Sequence, residues 1–318
     1  MSDRPARRPK RWPYLLLVVF LGVVIGWVLS ASRPGSRAEG CPEGCATAEP
    51  RREGPLRVLS LNVLHGFPRF ERLSERLDLV AAEIRRQDAD VVFLQEVPWH
   101  WGSAARTLAE QTGMNYLYLR ANGNRLALLF EEGEALLSRY PLRDAVSVEL
   151  EPRPGPFEHR VVLGATADTP WGDLRVYVTH LTNGDSAINQ EQAADLAAVV
   201  EHSGGGPALV AGDFNATEDE PQIQALGWID TYRAANPADP GWTCCVDDLT
   251  AGPGEPLEER IDYLFLVPAQ VSIVPAGRIP AMQVVASQRV LDQPARSGDG
   301  WLWASDHVGL LTTLAVEP

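Results

Sequence analysis

Short apolar runs bordered by a polar residue recur through most of this chain, and they restrict it to a fold built on buried strands. RVLSLN ends on Asn62, VVFLQE on Glu96, RVYVTH on His180 and ALVAGD on Asp213, with Asn215 two positions further on. RIDYLFLV carries Asp262, and Asp306 and His307 come just before VGLLTTLAV. Apolar runs this short are strand-like, because a buried strand needs only about 4–8 residues. Strands are therefore expected over RVLSLNV and ADVVFLQEV, at 126–130, 134–138, 145–150, 159–168 and 173–179, and over ALVAGDF, IDYLFLV and VGLLTTLAV. Leu73, Leu77, Val80, Ala81 and Ile84 recur at helical spacing and predict a helix over 72–87. A second helix is expected over 187–202. Strands that follow one another directly, mixed with strand–helix units, point to a sandwich of sheets covered by helices.

At 318 residues and 45% hydrophobic content, the chain can bury a large core. Its first eleven residues hold Arg4, Arg7, Arg8, Lys10 and Arg11 against Asp3, a net of +4; the chain totals −14, so the remainder stands at −18. So acidic a body repels polyanions unless cations neutralise the contact, which disfavours nucleic acid as a partner without excluding it.

Tyr14 to Ala31 form an uncharged, mostly apolar stretch near the lower length limit for crossing a bilayer. With its basic flank it predicts a cytoplasmic segment at 1–13 and a transmembrane signal anchor at 14–31. The bulk of the chain is then expected outside the cell membrane, as a single-pass protein. A cleaved signal peptide is the alternative, with small residues at Ser30, Ala31 and Ser32, although Leu29 matches a cleavage site poorly. Residues 32–54, rich in Pro and Gly, read as a linker, leaving 55–318 as the main domain, for which a catalytic role follows from its motifs. Cys41 and Cys45 lie in that linker, and Cys244 adjoins Cys245. Disulfides are expected in an oxidising space, and one arrangement would link the two pairs across the chain.

One Glu, several Asp, two Asn and two His at strand ends offer hard oxygen ligands and titratable imidazoles. Such a set suits Mg²⁺, with Mn²⁺ or Ca²⁺ as alternatives, rather than zinc. Each residue alone has an ordinary structural explanation, such as an Asx-turn at Asp213 and Asn215. Their joint recurrence is what carries weight.

SLNVLHG, LQEV, VTHL, GDFNA, RIDYLF and SDH stand in an order and spacing that resembles the endonuclease/exonuclease/phosphatase superfamily. That group includes pancreatic-type deoxyribonucleases, apurinic endonucleases, neutral sphingomyelinases and inositol polyphosphate phosphatases. The resemblance covers about 56–316. It implies an α/β fold, a four-layer sandwich of two mixed β-sheets flanked by helices, here behind the N-terminal transmembrane helix.

The resemblance also implies roles. Glu96 is similar to the main metal-ligating carboxylate, with Asn62 completing or supporting that shell and Asp306 as a second carboxylate near the metal. His307 resembles the imidazole that contacts the scissile phosphate or takes a proton from water, and Asp262 the group that fixes its tautomer. Asp213 would orient or deprotonate the attacking water, Asn215 would donate to a phosphate oxygen, and His180 would assist the leaving group. Arg160 resembles a strand arginine facing substrate phosphate. Where some members carry an acid two positions after the first Asn, this chain has Leu64, which argues against a second metal on that strand.

The implied activity is Mg²⁺-dependent phosphodiester hydrolysis outside the cytoplasmic membrane, on a lipid or small organic phosphodiester. A surface nuclease is the alternative, and a non-catalytic binding module on the same fold a third reading. Trp99, Trp101, Trp301 and Trp303 flank two of the motifs and would either meet the substrate or pack beneath the loops. His65, His100, His159 and His202 are read as structural.

Overall fold

The computed structural model describes residues 11–31, 33–126, 128–202, 207–269, 277, 279 and 281–317. Helix α1 spans Trp12–Ala31, with its large apolar side chains exposed from Trp12 to Trp27. Among the described residues no helix is long and apolar enough to cross a membrane. The expected transmembrane anchor, and the single-pass location that rested on it, are therefore corrected. Residues 1–10 of the expected basic segment lie outside the described residues.

The expected linker is partly ordered onto the body. β1 (Glu39–Cys41) pairs with a later strand, and the amides of Thr47 and Ala48 both donate to Gly113 O. Next come β2 (Leu56–Asn62), α2 (Leu73–Arg86), β3 (Val91–Gln95), α3 (Ala104–Thr112), β4 (Asn115–Asn124), β5 (Phe130–Ser138) and β6 (Leu142–Glu149). They are followed by β7 (Val161–Thr169), β8 (Gly172–His180), α4 (Ser186–His202), β9 (Ala208–Asp213), α5 (Pro221–Leu226), β10 (Ile229–Asp230) and α6 (Thr231–Ala235). The chain closes with β11 (Asp262–Val267), β12 (Ala281–Val290), β13 (Ala295–Ser297), β14 (Gly300–Leu302) and β15 (Gly309–Glu317).

Two mixed sheets result, ordered β1-β4-β5-β3-β2-β15-β12 and β10-β11-β9-β8-β7-β6. Each contains one parallel pair, β2 with β3 and β8 with β9, and each pair is joined by a crossover helix, α2 and α4. Side-chain alternation explains the layering. Val58 and Leu56 of β2 share one apolar layer with Leu209 and Ala211 of β9 and Val176 and Val178 of β8, so this layer lies between the sheets. Leu59 and Leu61 turn the other way, onto Leu77, Val80 and Ile84 of α2 and Leu108 of α3. Val210 and Phe265 likewise meet Ala193, Leu196 and Val200 of α4. Two sheets sealed by helices on both outer faces account for the sandwich.

Some strand expectations need correction. In the run expected at 126–130, the described Leu126, Leu128 and Leu129 lie outside any strand: Leu126 is 89% exposed, and β5 starts only at Phe130. Its leucines lie between two strands whose pairing consumes the neighbouring backbone. β4, β12 and α3 were not anticipated. β4 alternates Tyr116 and Tyr118 outward with Leu117, Leu119 and Ala121 inward, but Arg120, Asn122 and Asn124 mask that pattern.

Candidate active site

The inward alternation that builds the inter-sheet core also delivers the polar side chains. Continuing the inward positions of β2 beyond Val58 leads to Asn62. Beyond Ala211 on β9 it leads to Asp213, beyond Val178 on β8 to His180, and before Leu264 on β11 to Asp262. Register then aligns three of them: Asp213 is the Cα partner of both His180 and Asp262. Glu96 follows β3 with φ 54°, a left-handed conformation costly for a residue with a Cβ. Asn215, at φ 48°, tolerates the same region more easily.

Asn62 holds the two sheets' acids together: its Nδ2 donates to Glu96 Oε1 and to Asp213 Oδ2, each at 3.1 Å. Its Oδ1 accepts from Leu64 N at 3.0 Å. In this orientation Asn62 supports the carboxylates and does not offer them an oxygen. His307 Nδ1 lies 2.9 Å from Asp262 Oδ2, and its Nε2 3.7 Å from Asp213 Oδ2. Asp213, Asp262 and His307 bring ligating atoms within 4.8 Å of one another. Asn215 N donates to Asp213 Oδ1, and its Nδ2 approaches His180 Nε2 at 2.9 Å.

The Asp306–His307 loop is tied to β2 and to the 243–246 segment. Ser305 Oγ donates to Asn62 O at 2.6 Å, Val246 N donates to Asp306 O, and Val308 N to Thr243 O. The cysteines do not join across the chain: Cys41 pairs with Cys45 and Cys244 with Cys245. The linked pair at 244–245 places Cys244 Sγ 3.7 Å from His307 Nε2.

Burial and neighbouring charge set the ionisation. Burial opposes the His307 cation, but the Asp262 and Asp213 carboxylates outweigh it and hold the imidazolium well above the ordinary histidine range. Burial, reinforced by the charge of Asp262, pushes Asp213 up to about 7. Burial drives His180 well below its usual value, with Arg160 and His307 adding to the effect, so it is neutral. Asp306 is raised by burial and by the negative charge of Glu96.

Burial opposes the Glu96 carboxylate, but His65, Asn62 and His307 outweigh it and hold Glu96 below its usual value, so its standing negative charge is part of what raises Asp306, and a divalent cation between them would relieve that cost. Two hard carboxylates with open positions fit Mg²⁺, which keeps several of its waters. Glu96 and Asp306 are thus the candidate carboxylates for such an ion, with Asn62 orienting Glu96.

Arg160 lies just before β7, mostly buried, with Nη2 donating to Glu158 Oε1 at 2.9 Å. It lines one cavity together with Glu96 and His180. His65, read as structural, belongs here too: its amide donates to Glu96 Oε2 at 3.2 Å and its Nε2 lies 3.5 Å from the same oxygen. Arg76 was also missed. Buried on α2, it donates to the carbonyls of Val63, Leu64, Glu71 and Ala304 and so fixes the loops before Glu71 and before Asp306. His65 sits three residues after Asn62 and could have been suspected from that; nothing in the sequence marks Arg76. Of the four tryptophans, only Trp101 is open, at 74% exposure. Trp303 is 1% exposed, while Trp99 and Trp301 are half-buried beneath Arg125 and Arg296.

The sequence profile described as the endonuclease/exonuclease/phosphatase family matches residues 59–307. A structure of an endonuclease/exonuclease/phosphatase from Beutenbergia cavernae is 26% identical, with a TM-score of 0.62 over 84% of this chain and 72% of that one. The mannosyl-6-phosphatase Bt3783 of Bacteroides thetaiotaomicron is 19% identical, with a TM-score of 0.62 over 82% of this chain and 99% of that one. D. rerio TDP2 complexed with a single-strand DNA product is 16% identical, with a TM-score of 0.64 over 83% and 100%. The last two likenesses speak for the fold alone. No curated protein matches the chain.

Proposed function

This chain belongs to the endonuclease/exonuclease/phosphatase family, and on that premise we propose that it hydrolyses a phosphodiester by attack of water on phosphorus, with Asp213 as the base. The observation that carries the reading is the unbroken line of contacts from Glu96 through Asn62 and Asp213 to His307 and Asp262. It joins a candidate cation-holding acid to a candidate acid–base pair across both sheets.

Glu96 and Asp306 would hold the divalent cation, Mg²⁺ in the first instance with Mn²⁺ or Ca²⁺ as alternatives; when bound, it neutralises phosphate charge and polarises the P–O bonds. Asp213, poised near neutrality, accepts the proton of the attacking water, while Asn62 holds its second oxygen in place. His307, kept cationic by its two carboxylates, faces the phosphate oxygens as charge builds on them. Asp262 holds the imidazole in one orientation.

His180 has a separate part. Asn215 Nδ2 donates to Nε2, which leaves the single proton of the neutral ring on Nδ1, 4.0 Å from Glu96 Oε1 and without a hydrogen bond. That N–H is free to donate to the departing alkoxide. Arg160 supplies a further cation for phosphate within the same cavity.

The acidic body favours a small organic or lipid phosphodiester over long nucleic acid. The exposed Trp101 and the Phe67–Phe130 stack keep a nuclease as the second reading, since bases stack on such rings. Purified protein should be assayed on bis-aryl phosphodiester, phosphomonoester, phospholipid and DNA, with Mg²⁺ and with excess chelator. Turnover of the phosphodiesters only with Mg²⁺ supports the proposal, while undiminished turnover in chelator rejects the metal. A binding module would lose nothing on Asp213→Ala.

A further inference from the structure

The cavity that holds Glu96, His180 and Arg160 extends beyond them, and the roles above leave its remaining wall unused. About 230 Å³ in volume, the cavity is bounded there by Asn122 of β4, Phe130 and Glu132 of β5, and Glu158 and Arg160 before β7. Its origin lies in the alternation of β5. Phe130, Glu132, Glu134 and Leu136 share the face that meets the other sheet, and Leu136 sits in the inter-sheet core. The first turns of that face therefore carry two carboxylates where an apolar layer would be expected. Both are buried.

Buried carboxylates are expensive unless something compensates them. Glu132 finds one partner within the fold, the side-chain amide of Asn122, whose Oδ1 is in turn held by His159 N. Glu134 Oε2, Arg160 Nε and His180 Nδ1 are buried and make no hydrogen bond. Aromatic carbon closes one side, where Phe130 lies 5.2 Å from the His65 ring and 4.6 Å from Phe67. The wall therefore has a carboxylate acceptor, open polar atoms and an aromatic flank, next to the position proposed for the phosphate.

We infer that this cavity is the subsite for the alcohol group of the substrate, that Glu132 is its specificity-determining residue, and that it selects groups bearing hydrogen-bond donors without negative charge: hydroxyls or an ammonium. The inference rests on the phosphodiesterase reading. An ammonium would offset the burial of Glu132, and hydroxyls would satisfy its free acceptor positions. A second anion would instead enter beside Glu96, Glu132 and Glu158, with the nearby cation, Arg160, shared between the phosphate and Glu158. Polyanionic substrates are rejected at this wall, in addition to any effect of overall charge.

The test uses four p-nitrophenyl phosphodiesters whose second ester group is 2-aminoethyl, 2,3-dihydroxypropyl, propyl or 2-carboxyethyl, with the full-length protein and Mg²⁺. The expected order of kcat/KM places the first two above propyl and the carboxyethyl ester last, about tenfold or more below propyl, as one like-charge contact in a partly buried site implies. Glu132→Gln should bring the carboxyethyl ester close to propyl and erase the advantage of the aminoethyl ester, read as ratios of kcat/KM within the variant. Equal rates for all four esters in the wild-type protein overturn the subsite without touching the hydrolase reading, and need no variant. Unchanged ratios in a folded Glu132→Gln protein remove the role of Glu132. No turnover of any ester overturns the hydrolase reading itself, and the subsite with it.

Discussion

His307 turns its Nδ1 to Asp262 Oδ2 at 2.9 Å, with both side chains buried between the sheets. That contact fixes the imidazole so that Nε2 is directed to the Asp213 side of the cleft, 3.7 Å from its Oδ2. Replacing Asp262 by Asn keeps the shape and removes the charge that sustains the imidazolium. Turnover should drop on the order of 10²–10⁴-fold with KM little changed, by analogy with carboxylate–histidine pairs in hydrolases. Steady-state kinetics check it; a change confined to KM contradicts the assigned role.

The pH dependence follows from two groups. Asp213 must be ionised to accept a proton, and burial and the Asp262 charge hold it up to about 7, so kcat should rise as pH passes through that value. His307 must stay protonated, and its raised value puts the descending limb on the alkaline side. A rate profile that falls between about pH 6 and 8, around the Asp213 value, contradicts the assignment.

Stability moves oppositely to activity at Asp213. Its folded value lies above the unfolded 3.8, so the proton favours the folded state. The stabilisation is full below the unfolded value and is lost as pH rises through about 7. Asp213→Asn, which retains a neutral side chain, should be inactive yet melt higher than wild type at pH ~8, by roughly 2–4 °C per kcal/mol gained. A variant that melts lower at that pH would show that the carboxylate is compensated in the fold.

Excess chelator should stop hydrolysis while the melting temperature falls by only the few degrees expected from losing a bound ligand, because both sheets are closed by apolar packing rather than by an ion. Restoration by Mg²⁺ completes the check. Global unfolding in chelator would identify a structural metal instead.

Arg76 tests the scaffold. Arg76→Met leaves the carbonyls of Val63, Leu64 and Ala304 without their buried donor and should cost about 2–4 kcal/mol, read as a lower denaturation midpoint at unchanged m-value. Arg76→Lys should not restore stability, since an ammonium cannot reproduce the planar fork.

Trp101→Ala and Trp303→Ala separate surface from core. The first should leave stability within about 0.5 kcal/mol, because the ring is 74% exposed, whereas the second should cost about 3–5 kcal/mol, since that ring is 1% exposed and packs on Val246, Leu257 and Val308. Equal melting temperatures for the two variants would contradict this partition.

The strand core and most polar tips were legible in the chain itself, because a buried strand must read as a short apolar run and the residue ending it must be polar if it reaches the cleft. The period of two, carried to the end of β2, β8 and β9, is enough to nominate Asn62, His180 and Asp213. Local pattern could not say which distant strands stand side by side, so the pairing of Asp213 with both His180 and Asp262 was a matter for tertiary structure. For the same reason nothing local marked Asn122, Glu132 or Arg76, whose surroundings are set by strands and loops distant in the chain. The N-terminal apolar stretch and the cysteines mark the other limit. Composition suggested a membrane span and a cross-chain disulfide, but extent of helix and proximity of sulfurs are three-dimensional quantities that residue type alone does not carry.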